Sequence, residues 1–161
     1  MTNDLLEIVL LDTDVFSYLM EPGDPRGLPY LRHVEQRTAA LSFITVGELL
    51  FGALWRAWGK RRIGALQRRL DAAFILPLDH ETSVEYARLK TQLRKGGQIL
   101  ADNDLWIAAL AVRHSVPLVS NNRSHFNRVP GLVLIFGGAQ MTMAGPWDWN
   151  QLRRSASNGR P

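Results

Sequence analysis

The sequence predicts a three-layer α/β/α domain with a mostly parallel central sheet of about five strands, on three observations. Short runs such as Ile8-Val9-Leu10-Leu11 and Pro117-Leu118-Val119 are apolar throughout, as in strands buried on both faces. Amphipathic segments of helical length separate them, which calls for right-handed crossovers and helices on both faces of the sheet. Acidic or polar residues follow directly on the strands, as Asp12-Thr13-Asp14 and Ser120-Asn121-Asn122, at the carboxyl edge where open α/β sheets bind ligands.

The elements follow in order. Residues 7–11 read as the first strand, and residues 15–20 as a helix that Pro22-Gly23 and Pro25 interrupt. A helix over 29–37 leads to a strand at 39–43. Two helices, 45–58 and 61–72, are broken near Gly59. A third strand at 74–78 precedes a helix at 81–95, which Gly96-Gly97 stops. A helix over 103–114, a strand at 117–120 and a last strand at 132–136 complete the pattern. The domain therefore spans residues 1–136, and 137–161 is a C-terminal extension whose last dozen residues are expected to be loose. Pro146-Trp147-Asp148-Trp149 is unusual in such a tail and is expected to dock on its own domain. There are no internal repeats.

At 161 residues with 46% hydrophobic content, the chain is one domain with a real core, neither disordered nor membrane-spanning. Acidic residues before a short apolar strand do not make a signal peptide. The lack of cysteine excludes disulfides, thiolate zinc sites and cysteine nucleophiles, and is compatible with a cytoplasmic protein. A net charge of +4 surrounds a set of acids. A basic surface attracts a polyanion, while clustered acids repel one another unless a hard cation such as Mg²⁺ or Mn²⁺ lies among them.

Each acid has a structural role to weigh against a chemical one. Asp12 ends a buried strand, where helix capping and metal ligation can coexist. Asp14 shares a face with Asp12 if the chain stays extended; otherwise it serves a turn or cap. Thr45-x-x-Glu48 before Leu49-Leu50-Phe51 is a capping-box pattern, yet Glu48 also falls at the sheet's carboxyl edge. Asp102 and Asp104 precede a helix that one of them is expected to cap, and at least one, Asp104 by preference, is a metal candidate. Ser120, Asn121 and Asn122 suit a phosphate or a metal-bound water, or an ordinary turn. The four histidines show no metal-type spacing and read as surface residues, with His125 alone kept as a site candidate. No Walker loop, GxGxxG or G-x-S-x-G is present.

Taken in order, Leu10-Leu11-Asp12-Thr13-Asp14, Ser42-Phe43-Ile44-Thr45-Val46-Gly47-Glu48-Leu49, Asp102-Asn103-Asp104-Leu105-Trp106-Ile107-Ala108-Ala109 and Leu118-Val119-Ser120-Asn121-Asn122 resemble the PIN-domain nucleases, specifically the VapC-type toxins of bacterial toxin–antitoxin pairs. Phe126 and Val129-Pro130-Gly131-Leu132 extend the likeness, which runs from Val9 to about Leu134. The resemblance implies a metal-dependent endoribonuclease with Mg²⁺ or Mn²⁺ as cofactor, RNA as substrate, a small antitoxin as inhibitor and a homodimer. It makes Asp12, Glu48 and Asp104 the acidic triad. The family's fourth position falls on Asn122, which offers a carbonyl oxygen without charge, and Asp102 would partly compensate. Thr13, Asp14 and Ser120 would support the site.

Basic residues would hold the substrate. Arg123 and Arg128 flank Asn122, and Arg61 and Arg62 lie with Lys60, Arg68 and Arg69 on one helical stretch after Trp55 and Trp58. Lys90, Arg94 and Lys95 crowd another helix end, where a solvated face explains them as well. The stretch from Trp55 to Arg69 is the expected antitoxin contact. Two other readings remain at this point. One is a haloacid-dehalogenase-like phosphatase built on Asp12-Thr13-Asp14, although Phe16 stands where that motif has Thr or Val. The other is a PIN-like module that binds RNA or a partner without cutting.

Overall fold

A computed structural model describes residues 8–35 and 37–137. The elements are β1 (Ile8–Leu11), α1 (Thr13–Met20), α2 (Leu28–Val34), β2 (Thr38–Leu41), α3 (Phe43–Trp55), α4 (Lys60–Ala72), β3 (Phe74–Ile75), α5 (His80–Lys95), α6 (Asp102–His114), β4 (Leu118–Val119), α7 (Arg123–Phe126) and β5 (Leu134–Ile135). The strands pair in parallel in the order β3-β2-β1-β4-β5. This is the expected three-layer architecture with five strands among the described residues. The expectations for Pro146 to Trp149 and for the last dozen residues fall outside them.

The alternation of side chains along β1 divides the core. Leu10 faces a cluster with Leu118 of the neighbouring β4 and with Leu89, Leu93, Leu105, Ile107 and Phe126 from α5, α6 and α7. Val9 and Leu11 face the opposite way, onto Val15, Leu49, Leu66 and Leu70 from α1, α3 and α4. Burial on both faces is why β1 is apolar without alternation.

From β1 the chain proceeds outward to β2 and β3, then returns through α5 and α6 to place β4 on the other side of β1. The strand order therefore reverses between β1 and β4, the point where open α/β sheets form their ligand crevice. The return is well fastened. Asp79 Oδ1 accepts from the Thr82 amide at 2.8 Å to cap α5, and Arg113 near the end of α6 donates to Asp79 Oδ2 at 2.8 Å. Gly97, with φ of +69°, then takes a left-handed turn that suits glycine.

Two sequence expectations need correction. The second strand ends at Leu41, and α3 begins at Phe43 because Ser42 is the cap: its Oγ accepts from the Thr45 amide at 2.9 Å. The box expected from Thr45 to Glu48 does not form, and Glu48 lies a turn inside the helix. The second correction is α7, a single turn too short to leave a periodic signal.

Ser42 is 1% exposed, and its hydroxyl also donates to Thr45 Oγ1 at 3.0 Å. Ser42→Ala is expected to lower unfolding free energy by about 1–2 kcal/mol. The urea midpoint should fall with its slope unchanged; an unmoved midpoint would show that the cap contributes nothing.

Candidate active site

β1 delivers Asp12 to the carboxyl edge, where its backbone N–H donates to Val119 O at 2.9 Å and locks it against β4. The residue is only 7% exposed. Oδ1 accepts from the Thr13 amide at 2.8 Å, capping α1, and Oδ2 accepts from Ser120 Oγ at 2.7 Å. Ser120 is fully buried, and its Oγ in turn accepts from the Asn122 amide at 2.9 Å. Loss of hydration raises the Asp12 pKa to about 6, against the lowering effect of the bonds from Ser120 and Thr13; the charges of Asp104 and Asp14 raise it further.

Glu48 reaches the same edge from α3. Thr13 Oγ1 donates to its Oε2 at 2.5 Å, and Asn103 Nδ2 donates to its Oε1 at 2.9 Å. Thr45, fully buried, places its Oγ1 3.4 Å from Thr13 Oγ1. Thr13 therefore couples the Asp12 turn to Glu48. Asp104 comes from the first turn of α6, where the helix dipole favours an acid, and His125 Nδ1 lies 2.8 Å from its Oδ2. Asn122 Nδ2 is 2.6 Å from the same ring nitrogen.

Asp102 does not join this group. It turns toward α5, accepting from Lys90 Nζ and Tyr86 OH, each at 2.7 Å, and the Lys90 bond holds its carboxyl below the ordinary range. Neither Asp102 nor Asp104 caps α6; Ala101 occupies the cap position without a side-chain bond. Asp14 is helical and exposed, so it is not on a common extended face with Asp12, although its charge is felt there.

Among the basic candidates, the Arg123 guanidinium lies 4.4 Å over the Phe136 ring, and Arg128 Nε donates to His125 O at 3.3 Å. Arg62 lies 3.8 Å over Trp58 and pairs with Glu21 at 2.8 Å, while Arg61 is exposed. Trp58 is half-buried against the core. Trp55 is 79% exposed and stacks on Phe51, beside Leu54 at 74%.

The donors suit a hard divalent cation: three carboxylates and a side-chain amide at one edge, with Asp12 buried beside like charge. Among the described residues, no three His, Asp or Glu side chains stand around a common point, and each of the three carboxylates is turned onto a polar group of the protein. Asn103 and His125 are the contacts that reading the sequence underrated. Asn103 lies inside a recognised motif and is masked by the acids on either side. His125 shows its partner only once α7 brings it to α6.

Asp12 gives a signed pH dependence. Its folded pKa of about 6 lies above the ordinary aspartate value near 3.8, so folding is increasingly penalised as pH rises through this window, and the full penalty applies above it. Asp12→Asn is expected to be more stable than the parent at pH 8 by about 2–3 kcal/mol, with no such gain near pH 4. Urea unfolding at both pH values checks this; an equal difference at both would contradict it.

The family model described as PIN domain matches residues 9–132. The chain is 32% identical over 125 residues to ribonuclease VapC2 of Haemophilus influenzae, covering 76% of this chain and 92% of that protein. It is 32% identical over 149 residues to a VapC ribonuclease of Sinorhizobium fredii, covering 88% and 99%. The structure of VapBC2 from Rickettsia felis bound to a DNA fragment from their promoter superposes with a TM-score of 0.71 at 28% identity, covering 80% of this chain and 98% of that one. VapBC-1 from nontypeable Haemophilus influenzae gives 0.69 at 27% identity, covering 80% and 97%. With its acids held at the reversal between β1 and β4, the chain belongs to the PIN-domain family and, within it, to the VapC ribonucleases.

Proposed function

We propose that this protein is an endoribonuclease that uses Mg²⁺ or Mn²⁺ to hydrolyse RNA phosphodiesters and is held inactive by a small antitoxin. The observation that carries the reading is the delivery of three carboxylates from β1, α3 and α6 to one sheet edge, with the most buried of them, Asp12, carrying an unfavourable charge. Asp12 and Asp104 would hold the cation, with Glu48 direct or through water. The ion would supply an acidified water and neutralise charge on the phosphate oxygens. Glu48 is positioned to take a proton, its carboxylate fixed by Thr13 and Asn103. Ser120 holds Asp12, and Asn122 would contribute its side-chain oxygen, which accepts from Ser124 Oγ at 3.2 Å. Asp14 contributes charge from the exposed face of α1.

Arg123 and Arg128, on and just after α7, would meet the phosphates on either side of the cut, and Arg61 and Arg62 would extend the track. Nothing in the site depends on a ribose 2′-hydroxyl, so the choice of RNA rests on the relatives, which are named ribonucleases. The exposed Phe51, Leu54 and Trp55 on α3 form an apolar surface for a protein partner, and solved relatives are complexes, one of them of a family of toxin–antitoxin systems. A homodimer belongs to the same proposal by resemblance. No helix among the described residues is long and apolar enough to cross a membrane.

The test is cleavage of cellular RNA by purified, partner-free protein in Mg²⁺, in Mn²⁺ and in EDTA. Cuts at a few discrete sites are expected, abolished by EDTA and reduced at least about 10³-fold by Asp12→Asn or Asp104→Asn. Cleavage that persists in both variants would refute the assignment, and its absence in the folded parent would favour a binding module. In the Asp12→Asn background, Arg123→Glu is expected to weaken binding to a short RNA and to flatten its salt dependence. Unchanged affinity in a filter-binding assay would remove Arg123 from the track.

A further inference from the structure

His125 Nδ1 faces two partners at once, Asp104 Oδ2 at 2.8 Å and the Asn122 side-chain amide at 2.6 Å. A ring nitrogen carries either one proton or one lone pair. If it is protonated, it serves Asp104 and opposes the Asn122 NH₂; if not, it accepts from Asn122 and sets its lone pair against a carboxylate oxygen. Turning the amide over exchanges nitrogen for oxygen, and a single proton is then shared between two oxygens. In no arrangement do the three heteroatoms form two full hydrogen bonds at this nitrogen. Their spacing is close to that of neighbouring ligands on one ion, since atoms about 2.1 Å from a cation at right angles lie roughly 3 Å apart.

The placement is firm. Phe126, 1% exposed, anchors α7 in the core beside His125, and Arg128 Nε donates to the His125 carbonyl. The imidazole itself remains open to solvent, with its side chain 44% exposed.

We infer that His125 Nδ1, with the Asn122 side-chain oxygen, ligates the same cation as Asp104 and gives the site a mixed nitrogen and oxygen donor set. The inference rests on the metal-dependent reading above. Its chemical consequence is selectivity: imidazole suits Mn²⁺ and later first-row ions, whereas Mg²⁺ prefers oxygen and water. Loss of His125 should therefore weaken Mn²⁺ much more than Mg²⁺.

The experiment loads the full chain with Mn²⁺ alone and records the electron spin-echo envelope, which detects a directly bound nitrogen. It is paired with calorimetric titration of Mn²⁺ and of Mg²⁺. The parent should show nitrogen modulation. His125→Ala and His125→Gln should lose it and bind Mn²⁺ about tenfold more weakly, with a much smaller change for Mg²⁺. Mn²⁺ that binds the parent and is lost in Asp12→Asn, yet shows no nitrogen, would overturn the inference and leave the nuclease reading standing. Mn²⁺ that does not bind the parent, or binds Asp12→Asn and Asp104→Asn as tightly, would overturn both. The parent's nitrogen signal decides the point even if a His125 variant folds poorly.

Discussion

The structure depends on one buried carboxylate at a fixed place. Asp12 ends the central strand, pinned to β4 through its own amide and through Ser120, and it starts α1 through its side chain. The end of β1, the start of α1 that follows it directly and the covalently distant loop after β4 are thereby joined at one residue. A neutral cap would join them without the cost of dehydrating a charge. The protein accepts that cost at the point where its sheet changes direction, and it adds Asp104 and Asp14 nearby rather than a compensating arginine. Such an arrangement is expected where negative charge is to be met by a cation brought from solution.

The surrounding elements serve this edge in distinct ways. Starting α3 at Ser42 places Glu48 one turn in, where Thr13 and Asn103 fix it from two sides. The α5–α6 hairpin brings α6 in with its first turn at the edge, and the Asp79–Arg113 tie braces the opposite ends of those helices. Asp102, two residues from Asp104, is diverted to Lys90 and Tyr86, so the helix start presents one acid to the site instead of two. Away from the edge, α3 exposes Phe51, Leu54 and Trp55.

Much of this was legible before folding because strong local signals coincide with global ones. Continuous apolar runs marked β1 and β4, and Gly96-Gly97 marked the end of α5. The acids after strands pointed to the edge where they are found. What failed was chemistry that looks the same in two settings. Thr45-x-x-Glu48 satisfies the capping pattern, yet Ser42, hidden as the last polar residue of an apparent strand, takes the cap. Asp102 and Asp104 both stand at the start of α6, and although nearness to the helix favoured Asp104, the diversion of Asp102 to Lys90 and Tyr86 shows only once α5 packs against α6. His125 and Asn103 were underrated for a related reason. Their partners, Asp104 and Glu48, lie 21 and 55 positions away in the chain, beyond any local pattern.

The central claim is that Asp12 and Asp104 share a cation at the β1/β4 edge. A crystal of the full chain soaked in Mn²⁺, with anomalous data collected at the manganese edge, tests it directly. A single strong anomalous peak is expected within bonding distance of one oxygen from each of these carboxylates. A peak bound elsewhere, at Asp102 for example, or an empty edge in crystals that hold Mn²⁺ at other sites, would contradict it.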